Sequence, residues 1–313
     1  MAAKLNLPPM RVLPFSIRML PVLGGIGLLV LAGCGNGNDA ETDTTAAAAD
    51  SLDPEGMGAA SRTDALKEIF HAAPSPMEIA DMVKRAGATY DAKSLNPASN
   101  ATKYTTSDRQ AINLGVYGAD LSYATMFEQN AASLEYLAAV KQLSNSLGIS
   151  DVLTDEVMAQ ANANRTDRDA LIDLISSAFY DVNERLKENG TEDLAGLVVA
   201  AGWVEGMYLA TRTMKKAPAD LKARIAEQKI VLDDVMRLCK SYEATPELTA
   251  LLTAMAPIEQ AFAQVKETDG SPEATQGEDG TFVIGGGPTY TADDATLAAI
   301  SAAVAKVRAT LIQ

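Results

Sequence analysis

The sequence predicts an all-α fold: a multi-helix bundle of about nine to ten helices, with one small β-hairpin near the C-terminus. Three observations predict it. Of 313 residues, 54 are alanine, about 17%, a composition that favours helix and lets helices approach closely. From Ser61 onward apolar residues recur at the 3.6-residue helical period. Cap and stop residues punctuate those stretches at helix-length intervals, and no period of 34 or 40 residues runs through the chain, which argues against a regular solenoid.

Each element has its own signal. Ser75-Pro76-Met77-Glu78 reads as a capping box with proline at the first helical position, opening a short helix that ends near Gly87. An irregular stretch, about 88–105, contains Asn96-Pro97. A long helix is expected over about 107–129 and another from about 131 to Gly148, with the stripe Leu134, Leu137, Val140, Leu143, Leu147. Thr154 and Thr166 start two more, the second carrying Leu171, Leu174, Ile175, Phe179 and Val182 and stopping at Asn189-Gly190. Thr191 caps a helix reaching about Arg212. Pro218 opens an amphipathic one that turns Leu221, Ile225, Ile230, Val231 and Met236 to a core. Thr245-Pro246-Glu247 starts the next, which Pro257 should kink or interrupt. Residues 267–280 read as a polar loop. Thr281–Ile284, Gly285–Gly287 and Thr289-Tyr290 suggest the hairpin, and Thr291-Ala-Asp-Asp294 caps a last helix with Leu297, Ile300, Val304, Val307 and Leu311.

Composition removes several function classes. There are 26 Lys and Arg against 41 Asp and Glu, a formal charge of −15, which argues against nucleic acid as a partner. The single histidine, His71, excludes multi-histidine metal sites and leaves any His-dependent triad resting on that residue, which fits a helix end. Two cysteines make no disulfide framework; Cys239 falls in an amphipathic helix as a small core residue. Phosphate-cradling loops, nucleophile elbows and haem-attachment motifs are missing, and no cofactor is expected.

The amino terminus reads as an address. Residues 1–33 carry Lys4, Arg11 and Arg18, no acid, and an apolar run from Met19 to Leu31, the layout of a secretory signal. The run ends Leu31-Ala32-Gly33-Cys34, which resembles the bacterial lipobox. That resemblance implies a diacylglycerol on the Cys34 thiol, cleavage before Cys34 and acylation of its amine. Several acyl chains hold a protein on a membrane at roughly 0.8 kcal/mol per buried methylene. Gly35, rather than Asp, follows the cysteine, which favours the outer membrane. Residues 34–60 then form the lipidated cysteine and a small, acidic tether without apolar period, and 61–313 form the helical domain.

Two helices could carry chemistry. From Leu194 to Ala210 the only charge is Glu205, and the other polar side chains are Trp203 and Tyr208. A helix apolar all round belongs at the centre of a bundle. Ala111–Phe127 is similar, with Asn113, Asp120 and Tyr123 on nearly one face and Tyr117 beside them. Gly115, Gly118, Gly202 and Gly206 would let neighbours come close. Packed together, these helices could bring Asp120 and Glu205 to one polar pocket lined by Tyr117, Tyr123, Trp203 and Tyr208. Such carboxylates are either a structural network or a site for a divalent cation or a small cationic or hydroxylated ligand. At an offset of 85, Thr106, Asp108, Asp120 and Tyr123 also fall on Thr191, Asp193, Glu205 and Tyr208, by duplication of a helical hairpin or by chance.

Asn113-Leu-Gly-Val-Tyr-Gly-Ala-Asp-Leu-Ser-Tyr-Ala124, Tyr136–Leu143, Leu147-Gly-Ile149 and Gly202–Tyr208 together resemble uncharacterised helix-rich envelope lipoproteins of Bacteroidetes-type bacteria, over roughly residues 65–311. The resemblance implies an envelope lipoprotein and brings no assigned activity. The expectation is a lipid-anchored protein of the cell envelope, a non-enzymatic helical module for an envelope protein or a small molecule. The alternative is an envelope enzyme, or a metal- or ligand-binding protein, working through Asp120 and Glu205.

Overall fold

A computed structural model describes residues 76–212, 219–268, 270, 273–276, 282–285 and 288–313. The signal segment, Cys34, the tether, His71, Ser75 and Pro218 lie outside the described residues. Nine α-helices are described: α1 (Pro76–Arg85), α2 (Ser107–Met126), α3 (Asn130–Ser146), α4 (Asp155–Ala163), α5 (Arg168–Glu188), α6 (Glu192–Arg212), α7 (Ala219–Ser241), α8 (Pro246–Phe262) and α9 (Asp294–Leu311). Two 3₁₀ turns, Ala92–Ser94 and Ala98–Lys103, occupy the irregular stretch between α1 and α2.

The two glycine-rich helices form the centre. Every residue of α2 from Ala111 to Met126 is buried, and so is α6 from Ala195 to Thr211 apart from the half-buried Val199 and Tyr208. They make the most extensive helix–helix contact in the fold, with α3 against α2, α7 and α9 against α6, and α1 across both. By length and mean hydropathy (1.4) α6 could cross a membrane, yet 83% of its apolar window is buried inside the protein. That burial makes it the central helix of the bundle.

Close approach depends on missing side chains. A Cβ on Gly115 would stand 2.1 Å from the Val198 carbonyl oxygen and 2.9 Å from the Gly202 nitrogen, so backbone meets backbone there. Gly118 makes room for the Phe179 ring of α5, and Gly206 for Ile79 of α1.

Caps set most boundaries. Thr154 and Thr245 accept from the backbone N–H groups of Val157 and Leu248, three residues on. Gly148 and Gly190 adopt left-handed backbone (φ 77° and 71°) just past α3 and α5, where a side chain would strain the turn. Helix α2 stops at Met126, short of the expected 129, because Glu128 turns to φ 58° and Lys84 Nζ ties the turn to the Met126 carbonyl (2.8 Å) and Glu128 Oε1 (2.7 Å).

Several expectations need correction. Asp167, not Thr166, caps α5, accepting from Ala170 N–H at 3.1 Å. Thr191 donates its hydroxyl back to the Leu186 carbonyl (2.8 Å). Helix α8 runs through Pro257 without interruption, its Leu251, Met255, Ile258 and Phe262 all buried, so packing offsets the lost backbone bond. Ile230 is 43% exposed, since α7 turns Val231 and Leu232 inward instead.

The hairpin is present, and its pairing differs from the expected one. Strand β1 (Lys266–Thr268) pairs antiparallel with β4 (Thr289–Thr291), Glu267 opposite Tyr290. Between them β2 (Glu273–Gln276) pairs with β3 (Phe282–Gly285), Gln276 opposite Phe282. The expected polar loop therefore supplies two strands. Its β1 residues are all exposed, so no apolar alternation marked them. Within the expected run Thr291–Asp294, it is Asp293 that caps α9, accepting from Thr296 N–H.

Candidate functional site

The Gly115–Gly202 approach brings α2 and α6 together, and the consequence one turn further along is that Asp120 and Glu205 meet. Both are wholly buried, and their carboxyl groups are in hydrogen-bond contact. The sequence expected this convergence. The cation that faces them is Arg308 of α9, 103 residues beyond Glu205 in the chain.

Arg308 grips Glu205 in a fork: Nε donates to Oε2 at 2.9 Å and one terminal nitrogen to Oε1 at 3.2 Å. The same terminal nitrogen donates to the Ser94 carbonyl at 3.0 Å. The guanidinium also lies over the Tyr208 ring, 4.5 Å from its centroid, as does that of Arg212 at 5.6 Å.

Asp120 is held differently. Its Oδ2 accepts from the Asn96 backbone N–H at 3.1 Å, and its Oδ1 has no N–H or hydroxyl donor facing it. Asn96 continues the network through Nδ2 to Tyr104 Oη (3.0 Å) and Asn113 Oδ1 (3.3 Å). Asn113 Nδ2 donates to the carbonyls of Arg109 (3.0 Å) and Leu311 (3.1 Å), and Tyr104 donates to that of Ile312 (3.3 Å). The buried polar groups thus fasten the last turn of α9 to α2 and the 3₁₀ segment.

Electrostatics separate the two acids. Burial raises Asp120 well above the ordinary carboxylate range, and the adjacent Glu205 charge adds to that. Burial also raises Glu205, but Arg308 and a hydrogen bond from Asp120 oppose it. Burial works against the charge of Arg308, and Glu205 outweighs it, so the guanidinium stays firmly cationic.

Two of the four aromatic residues expected around the acids, Trp203 and Tyr123, are elsewhere. Trp203 points away from them, donating Nε1 to Gln228 Oε1 of α7 (3.2 Å), its ring 6.1 Å from Phe262 of α8. Tyr123 stacks with Tyr90 and packs at a tilt against Phe127, accepting from Asp91 N–H and donating to the Thr89 carbonyl. Tyr117 donates to the Pro97 carbonyl at 2.9 Å, and its ring packs between those of Tyr104 and Tyr136. Asn113, Asp120, Glu205 and Tyr208 come together; Trp203 and Tyr123 do not.

Sequence reasoning missed Arg308, Asn96 and Ser94. A signal for Arg308 existed: it falls four residues after Val304 and three before Leu311, inside the apolar stripe of α9. Cys239 is where it was expected, in the core, its Sγ 3.6 Å from the Gly196 carbonyl and burial pushing its thiol up to about 12.

Among the described residues no group of three or more His, Cys, Asp or Glu side chains is placed to share a metal ion. A surface groove of about 650 Å³ lies away from the acids, where the end of α2 meets the starts of α3 and α5, lined by Glu128, Asn130, Asp167, Arg168 and Asp169 among others. Compared with family models, curated proteins and solved structures, the chain matches none.

Proposed function

We propose that the protein is a lipid-anchored component of the bacterial cell envelope, its helical domain a non-enzymatic module that binds an envelope protein or a small molecule. The run Leu31-Ala32-Gly33-Cys34 behind a basic, apolar leader carries the reading. The acidic tether after it suits a domain held off the surface. The non-enzymatic part is supported by the buried acids: the Arg308 fork takes up Glu205 and the Asn96 N–H takes up Asp120 Oδ2, both acids being closed to solvent.

The test is metabolic labelling of the full chain with an alkyne fatty acid in a Gram-negative host, followed by fractionation. The wild type is expected to take up label and sediment with outer membranes. Cys34→Ser is expected to lose the label and at least nine-tenths of the modification-dependent mobility shift. An unlabelled wild-type chain would end the lipoprotein reading.

A further inference from the structure

The α2–α6–α9 junction holds two wholly buried carboxyl groups and one guanidinium on a side chain that is 11% exposed. Arg308 spends its fork on Glu205 and its remaining contact on the Ser94 carbonyl, and no hydrogen bond joins it to Asp120. Asp120 has a donor for Oδ2 and none for Oδ1, while its carboxyl touches that of Glu205. Two ionised carboxylates in contact there would leave one buried charge uncompensated. One proton between them resolves both problems: the junction becomes neutral overall, and Oδ1 becomes a donor.

We propose that Asp120 is protonated in the folded protein and donates from Oδ1 to Glu205, so that one proton joins the two central helices beside the Arg308 fork, and this joint weakens as pH rises. Burial and the adjacent Glu205 favour this state, and they outweigh Arg308 and the Asn96 N–H, which oppose it. Glu205 of α6 is the acceptor and Arg308 of α9 its counter-ion. The hydroxyls of Tyr90, Tyr117 of α2 and Tyr136 of α3 are all raised, by burial first and with Asp120 among the further causes, so they remain neutral.

The sign follows from linkage. The acid form of Asp120 is favoured in the folded chain, so the folded state binds one proton more than the unfolded state above the ordinary aspartate range. Stability from this group is greatest below that range. It falls as pH rises, until the folded-state value is passed.

Asp120→Asn is the matched variant, because an amide can donate to Glu205 and accept from Asn96 N–H without a proton to lose. Urea unfolding of the full chain in detergent, from pH 5 to pH 8, is the experiment. The unfolding equilibrium constant of wild type relative to Asp120→Asn is expected to rise with pH, by up to about tenfold per unit for as long as Asp120 stays protonated. A ratio that does not change with pH would overturn the proposal. If Asp120→Asn does not fold, infrared spectra of wild type with labelled aspartate carboxyls decide it. A carboxylic-acid band persisting above the ordinary aspartate range is expected, and its absence there would overturn the proposal equally.

Discussion

At the scale of single residues, the informative contrast is between Arg308 and Glu205. Removing one member of a buried ion pair costs more than the pair contributes, because the survivor is left charged and unpaired. The cost here is asymmetric. Glu205→Gln leaves Arg308 with Asp120 nearby, which can give up its proton and become the counter-ion, so the expected loss is about 1–3 kcal/mol. Arg308→Met leaves two contacting carboxyls and no cation, and the expected loss at pH 7 is about 3–5 kcal/mol. Lowering the pH toward 5 should shrink the second loss, since both groups are raised by burial and can take up protons. Urea unfolding at the two pH values measures both, and equal losses for the two variants would contradict this arrangement of charge. Glu205 and Asp120 were legible in the sequence as lone acids in apolar helices. Their partner was not, because Arg308 lies on a distant helix where a base near the end also suits the dipole.

At the scale of elements, α2 relies on glycine against two different neighbours, the α6 backbone and the Phe179 ring of α5, which mutation should separate. A methyl on Gly115 meets the Val198 carbonyl and the Gly202 nitrogen, and main chain can move only if the helices part. A methyl on Gly118 meets the end of the Phe179 ring at 2.1 Å, a side chain that can be shortened. Gly115→Ala and Gly118→Ala should each cost about 1–3 kcal/mol or more as overpacking. Adding Phe179→Leu is expected to recover at least half of the Gly118→Ala loss, and no comparable trimming exists for Gly115→Ala. Thermal unfolding of the three variants checks it, and a failed recovery would place the strain outside the Phe179 contact. Helices were largely readable because period and caps are local: α1 starts at Pro76, and Thr154 and Thr245 cap as expected. At the noted offset of 85, Ser107–Met126 falls on 192–211 within α6, and the corresponding acids Asp120 and Glu205 are the ones that touch. Strand partners were unreadable by the same logic. Pairing β3 with β2 and β4 with β1 is a matter of non-local backbone bonds, and the exposed residues of β1 carry no alternation to announce them.

At the scale of the whole molecule, the net charge bears on what the proposed anchor at Cys34 would have to do. The formal charge of −15 includes Lys4, Arg11 and Arg18, all before Cys34, so residues 35–313 carry −18. Ion pairs such as Lys222–Asp294 and Arg185–Asp151 hold some of the few bases, but they are partly exposed and contribute little to stability. An excess of this size repels an anionic lipid surface, and the repulsion reaches about 8–10 Å at physiological ionic strength. If the acyl chains supply all of the membrane affinity, a chain of residues 35–313 should have none of its own. Sedimentation with vesicles of zwitterionic lipid, and of the same lipid with one-third phosphatidylglycerol, tests this at low salt, where any attraction is least screened. The expected bound fraction is near zero for both and no larger for the anionic vesicles. Binding that appears only with the anionic lipid and disappears as salt is added would reveal a basic face strong enough to overcome the net charge. The domain itself, and not only the proposed anchor at Cys34, would then take part in holding the protein at the membrane.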